Sequence, residues 1–315
     1  MTSYGACGLL VGHATDVEGA TGCTVVRGVD GPFRAAVHVV GRATGTRELA
    51  LLDPGQLVDR VDAILLAGGS AYGLDAAAGV MRWMEERGRG FPVGAGVVPI
   101  VPAAVVFDLA PLGRFDARPT PGLGHAACEA AVATPSEGSI GAGTGATVGK
   151  VAGAAHSMKG GCGIGAADAG GVVVRALAVV NAFGDVRDGS GRIVAGARDG
   201  QGARLDAAAQ VARDVGQATR FDALAGRNTT LCVVSTNVAL DRVQLASLAR
   251  AASGALFRRI TPVGTPYDGD VVFATAPCAD GIAAPPIQVE ALAVRALEMA
   301  IERAVRTRTA GEILS

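Results

Sequence analysis

Hydrophobic and polar positions along this chain fall into stretches that read as strands, glycine turns and amphipathic helices. From Val61 to Glu86, "VDAILLAGGSAYGLDAAAGVMRWMEE", an apolar run predicts a buried strand, Gly68 to Gly73 a turn, and apolar residues at helical spacing a helix beyond it. A second helix is expected from about Pro121 through "GHAACEAAVAT", ahead of the glycine-dense "GSIGAGTGATVGK" and "KGGCGIGA". Residues 170–186, "GGVVVRALAVVNAFGDV", predict a valine-rich strand ending at Asn181, with a turn beyond. Residues 202–226 are helical and polar by composition, and "NTTLCVV" from Asn228 opens another strand. Residues 240–259 predict an amphipathic helix capped by Asp241; "GDVVFATA" predicts a strand, and a last helix runs from about Gln288 to Thr307. The uncharged span 90–107 is long enough for a membrane helix, but Pro92, Pro99 and Pro102 would break it, so a buried extended segment is expected. No fixed-period repeat or low-complexity linker interrupts the pattern.

Composition narrows the architecture. The 315 residues suffice for a substantial core. Aromatics are only 4% while 46 residues are glycine, so Ala, Val, Leu and Ile must fill the interior and backbones must lie close together. With 28 Lys plus Arg against 29 Asp plus Glu, no electrostatic footprint for nucleic acid or an anionic membrane is expected, and a small peptide or amide is the better partner. The six cysteines, Cys7, Cys23, Cys128, Cys162, Cys232 and Cys278, are scattered without a CxxC pair, which predicts reduced, mostly buried thiols and no metal site. No basic residue precedes Arg27, which argues against a secretory signal and makes the cytoplasm the expected compartment.

Three chemistries deserve weighing. "GAGTGATVGK" suggests a phosphate cradle, but a P-loop needs glycine where Thr144 stands and Ser or Thr where Val151 stands, and the dinucleotide fingerprint lacks its third glycine. Ser70 sits on a strand-to-helix turn, yet a serine elbow needs glycine at Tyr72; the alternative is a small polar residue in a turn that lines a pocket. In "AGRNTTLCVVST", Thr229 and Thr230 stand at the mouth of a strand after Asn228. A threonine hydroxyl needs a base, and a chain that is cut in front of it supplies one, because an α-amine has a pKa of about 8. Taken alone, the same residues also read as a turn and a β-branched strand start.

Six ordered blocks shift that balance: "TGCTVV", "LLDPGQLVDRVDAILLAGGSAYGLDAAAGVMRW", "FPVGAGVVPIVPAAVVFDL", "GAGTGATVGK", "NTTLCVVSTNVAL" and "TPYDGDVVFATA". Together they resemble the DmpA-type aminopeptidases, which include L-aminopeptidase/D-Ala-esterase, β-peptidyl aminopeptidases and a pantetheine-cleaving hydrolase. The resemblance implies an α+β fold, a four-layer αββα sandwich of N-terminal-nucleophile type shared with ornithine acetyltransferase. It implies a single hydrolase domain over 1–315, cut by itself between Asn228 and Thr229 into fragments 1–228 and 229–315. Thr229 would be the nucleophile and Asn181 the amide that stabilises the oxyanion. Asp268 and Asp270 would flank the nucleophile, with Asp270 holding its amine, and the two glycine turns, with Gly69, Ser70 and Tyr72 in one and Gly143 and Thr144 in the other, would bind substrate. No cofactor or metal is implied, and a homo-oligomer of four protomers is.

Two departures matter, the first for the role of Asp268 and the second for substrate. Known members carry serine at the Asp268 position, and they carry an acidic residue where this chain has Ala142, the residue that anchors a substrate's free amine. An amide without a free amine is therefore a serious candidate. His156 is a loose counterpart of a family tyrosine. Lys150 either contacts substrate or neutralises a nearby carboxylate, the second being the ordinary role of a lysine. Two other classes remain open: acyl transfer of the ornithine acetyltransferase kind, and an uncut metabolite-binding protein of the same fold.

Overall fold

In this computed structural model residues 2–213, 227–278 and 281–306 are described. Ten strands build two five-stranded sheets. The first contains β1 (Leu9–Asp16), β2 (Thr21–Gly28), β4 (Gly45–Arg47), β5 (Ala63–Ala67) and β6 (Ala103–Val105) in the order β1-β2-β5-β6-β4. The second contains β3 (Arg34–Val39), β7 (Gly161–Ala169), β8 (Val172–Asn181), β9 (Thr229–Thr236) and β10 (Val271–Ala276) in the order β7-β8-β9-β10-β3. Both sheets repeat one pattern, antiparallel, antiparallel, parallel, antiparallel, with β5–β6 and β9–β10 as the parallel pairs.

Strand periodicity then sorts the core into three layers. Ile64 and Leu66 of the first sheet meet Leu177, Val179, Leu231, Val233, Val271 and Phe273 of the second, closing an apolar layer between the sheets. The opposite face of the first sheet, through Ala63, Leu65 and Ala67, packs on helices α1 (Ala76–Glu85) and α2 (Pro121–Glu129). The opposite face of the second, through Cys232, Val234, Val272 and Ala274, packs on α4 (Arg242–Arg259) and α5 (Pro286–Arg306). The result is the expected four-layer αββα sandwich. Of the segment expected to be helical, 202–226, residues 202–206 are not helical, with Arg204 bridging Arg198, a short helix α3 (Ala207–Arg213) follows, and 214–226 lies outside the described residues.

The scarcity of aromatics is explained by backbone contact between layers. Along β7, Gly161, Gly163 and Gly165 face the carbonyls of Ala304, Ala300 and Ala296 on α5, and a Cβ on Gly163 or Gly165 would collide with them. Gly79 and Gly124 bring α1 and α2 together in the same way.

Most predicted boundaries hold. The Asp241 side chain accepts from the Gln244 N–H at 2.8 Å while the Gln244 side chain accepts from Asp241 N–H at 2.9 Å, a reciprocal box that fixes the start of α4. Others need correction: α2 stops at Glu129 instead of running through to Thr134, because Val132 pairs with Val11 of β1. Pro99 to Val106 is buried as expected, but Phe91–Pro92 and Val97–Val98 form an exposed hairpin, because Gly94, at φ 83°, turns the chain back into solvent. Five cysteines are buried, and Cys278 is partly exposed. Among the described residues no helix is long and apolar enough to cross a membrane.

Gly165→Ala should destabilise the protein by about 3 kcal/mol, since the carbonyl it meets belongs to a packed helix rather than a movable side chain. Urea unfolding of the variant beside the wild type measures this.

Candidate active site

Antiparallel pairing places Asn181, the last residue of β8, opposite Thr229, the first of β9. Both share the strand parity of Val179 and Leu231, so their side chains face the layer between the sheets, at its end. The Thr229 hydroxyl donates to the Asn228 carbonyl at 2.6 Å. That carbonyl also accepts the Gly269 N–H at 2.8 Å, where Asn228 bridges Asp268 in parallel just before β10. Asn228 and Thr229 are both buried.

The glycine-dense segment wraps around the end of β8. Lys150 N–H donates to the Phe183 carbonyl at 2.9 Å, and Thr147 N–H to Asn181 Oδ1 at 3.0 Å. Lys150 is only 2% exposed, so it is no surface lysine. Its Nζ donates to Asn181 Oδ1 and to the Asn181 carbonyl, both at 3.0 Å, and to the Arg227 carbonyl at 3.4 Å. Burial drives its ammonium down to about 7 against the pull of the Asp268 and Asp270 charges. The Asn181 amide donates to the Phe107 carbonyl at 2.9 Å and the Arg227 carbonyl at 3.2 Å.

Asp268 and Asp270 are buried beside this cluster. Asp268 Oδ2 accepts from Thr265 N–H at 2.9 Å and from its hydroxyl at 2.7 Å. Asp270 Oδ1 accepts the Thr230 N–H at 2.6 Å, one residue beyond the position whose amine it was expected to hold, and Oδ2 accepts Gly264 N–H at 3.2 Å. Burial and then the adjacent Asp268 charge push the Asp270 carboxyl up to about 7; burial raises Asp268 too.

The expected substrate residues fall into two groups. Gly69 and Ser70 form a left-handed turn, φ 79° and 53°, held by Gly69 N–H to Asp108 Oδ1 at 2.7 Å and Ser70 N–H to the Val106 carbonyl at 2.9 Å. Asp108 follows Phe107, whose carbonyl holds Asn181, so this turn is tied to the site through two chain neighbours. Gly143 gives its carbonyl to Lys159 Nζ at 2.9 Å, and the Thr144 hydroxyl turns back to the Gly141 carbonyl at 2.6 Å. Tyr72, by contrast, is 54% exposed, stacked by the Arg118 guanidinium at 3.5 Å and edged by Phe115 at 6.4 Å. His156 lies half-buried on a short turn whose backbone carbonyl accepts Arg198 N–H at 3.0 Å. Phe107, Thr147 and Gly269 were not anticipated, since each contributes a backbone group that any residue type could supply. Asp108 had a signal, an acid closing the run "AAVVFD".

Two facing sheets between helix layers are the layering of an N-terminal-nucleophile hydrolase fold. Its solved counterparts include the L-aminopeptidase D-Ala-esterase/amidase of Ochrobactrum anthropi, described as a new variant of that fold (TM-score 0.69, 21% identity, 94% of this chain and 83% of the other). A Burkholderia β-aminopeptidase superposes with TM-score 0.66 at 20% identity, over 94% and 84% of the two chains. The sequence pattern of peptidase family S58 matches residues 6–310, and the chain belongs to that family. It is therefore a hydrolase of the aminopeptidase/amidohydrolase kind. An uncharacterized aminopeptidase of Mycobacterium tuberculosis is 43% identical over 279 residues, 85% of this chain and 76% of the relative. A 6-aminohexanoate-oligomer endohydrolase of Kocuria is 36% identical over 280 residues, 85% and 72% of the respective chains.

Burial raises the Asp108 carboxyl from 3.8 to about 6, against its hydrogen bonds from Thr21 and Gly69. Between those values the folded state binds a proton that the unfolded chain has released, so this group's contribution to stability falls as pH rises through the window. Asp108→Asn should remove that slope, read from urea unfolding of both proteins at about pH 4 and about pH 6.5.

Proposed function

We propose that the protein is a self-processing amidohydrolase whose nucleophile is Thr229, freed by cleavage after Asn228. The observation that supports this most directly is the Thr229 hydroxyl 2.6 Å from the oxygen of the carbonyl it would attack, beside a buried lysine, an amide and two carboxylates. In maturation the hydroxyl oxygen bonds to the Asn228 carbonyl carbon, and the carbon–nitrogen bond breaks. The proton ends on the Thr229 nitrogen, and water then hydrolyses the ester to leave the Asn228 carboxylate. Lys150, buried with its Nζ on the Arg227 carbonyl two residues before the hydroxyl and displaced toward its neutral form, is the side chain we assign to accept the hydroxyl proton.

In the divided enzyme the Thr229 α-amine takes over as base. Its hydroxyl attacks the substrate carbonyl, the Asn181 amide stabilises the oxyanion, the departing amine takes the proton, and water releases the acyl group. Asp270, whose Oδ1 already accepts the neighbouring Thr230 N–H, holds the ammonium form of the terminus in place.

Intact-mass measurement tests the reading. The wild type should give fragments 1–228 and 229–315, and Thr229→Ala a whole, inactive chain; a wild type that stays whole while hydrolysing substrate rejects it. Asn181→Ala should keep the fold and lose about a hundredfold in turnover. Below about pH 7 Lys150 is protonated and cannot take a proton, so self-cleavage should accelerate as pH rises through that value, a step that Lys150→Met should abolish.

For substrate, we infer an amide whose acyl part carries no free amine. Ala142 stands where an anchoring acid would be needed, and the Lys159 ammonium on the Gly143 carbonyl repels another cation. The named activity of the Kocuria relative, cleavage within 6-aminohexanoate oligomers, fits an acyl part of this kind. An N-acetylalanine anilide should be turned over at least about tenfold faster than the alanine anilide; the reverse order would restore an aminopeptidase reading. The expected assembly of four protomers is a proposal that gel filtration checks.

A further inference from the structure

We propose that self-cleavage and substrate turnover use different oxyanion donors: the Gly269 backbone N–H serves the first, and the Asn181 amide serves only the second. The inference rests on the self-processing reading above. In the intact chain the carbonyl to be attacked, that of Asn228, receives the Gly269 N–H at 2.8 Å and the Thr229 hydroxyl at 2.6 Å. Both hydrogens of the Asn181 amide are committed elsewhere, to the Phe107 carbonyl at 2.9 Å and the Arg227 carbonyl at 3.2 Å. The Arg227 carbonyl also takes Lys150 Nζ at 3.4 Å.

Charge that develops on the Asn228 oxygen is thus met by a donor already in place. That donor is held rigidly, because the segment carrying it bridges Asn228 in parallel and its flanking carbonyls are tied down. The Asp268 carbonyl accepts Arg42 N–H at 2.8 Å, and the Asp270 carbonyl accepts Val40 N–H at 2.9 Å. Asn181 becomes available only when cleavage lets the Arg227 carbonyl depart, so the intact chain occupies its own substrate donor. The residue at 269 must also be glycine for reasons of space. A Cβ there would lie 2.6 Å from the Ala43 carbonyl and 2.8 Å from the Thr229 hydroxyl, displacing the N–H from the bond it polarises.

The test follows freshly translated full-length chains over time by mass spectrometry, with thermal melting as the check on folding. Asn181→Ala, or Asn181→Leu where Ala does not fold, should still divide, slowed no more than about tenfold by loss of the Oδ1 that holds Lys150, and then hydrolyse an added amide about a hundredfold more slowly. Gly269→Ala should divide about a hundredfold more slowly than the wild type. A wild type that divides while folded Asn181 variants stay whole, or a Gly269→Ala chain that divides at the wild-type rate, overturns the assignment to Gly269 and leaves the self-processing reading standing. A wild type that never divides removes both.

Discussion

The site depends on one register: β8 ends at Asn181 opposite the residue where β9 begins, Thr229. A shift of a single residue would turn both side chains to the helix face and replace them with apolar neighbours, because strand side chains alternate. The register is fixed by what lies behind it. Leu177, Val179, Leu231 and Val233 bury their side chains between the sheets, while Ala178, Cys232 and Val234 pack toward α4 and α5, so slippage would exchange the contents of two differently shaped layers. The hydrophobic core thereby sets the geometry of a polar pair at its edge.

Around that pair the protein removes water before it supplies charge. Lys150, Asp268 and Asp270 are all buried, and their equilibria are displaced toward the neutral forms by the same cause. The parallel β9–β10 pairing lets the "DGD" turn deliver two carboxylates and a backbone N–H to one strand mouth.

Much of the scaffold was legible in the sequence because it depends on side chains. The valine run closing at Asn181, the acid at Asp241 and the apolar periodicity of α5 each carry a residue-type signal, and each element falls where that signal ends. The hairpin at 91–98 was misread because its apolar residues are the same types that fill a core, and only the turn at Gly94 sends them outward. Within the site, Thr229 and Asn181 stood out by type and place, and the two aspartates only through the resemblance carried by the "DGD" block. The contributions of Gly269 and Phe107 are main-chain atoms, invisible to any reading of residue identity. Lys150 was legible as a lysine but not as a buried one, since its enclosure comes from a glycine segment folding back on the end of β8.

The glycine face of β7 against α5 has an evolutionary consequence. Where helix and sheet touch main chain to main chain, there is no slack volume for larger side chains to explore, and a substitution is either silent or displaces a whole layer. Divergence within such a scaffold is channelled to the turns at the strand ends, where a new chemistry can be acquired without repacking the interior.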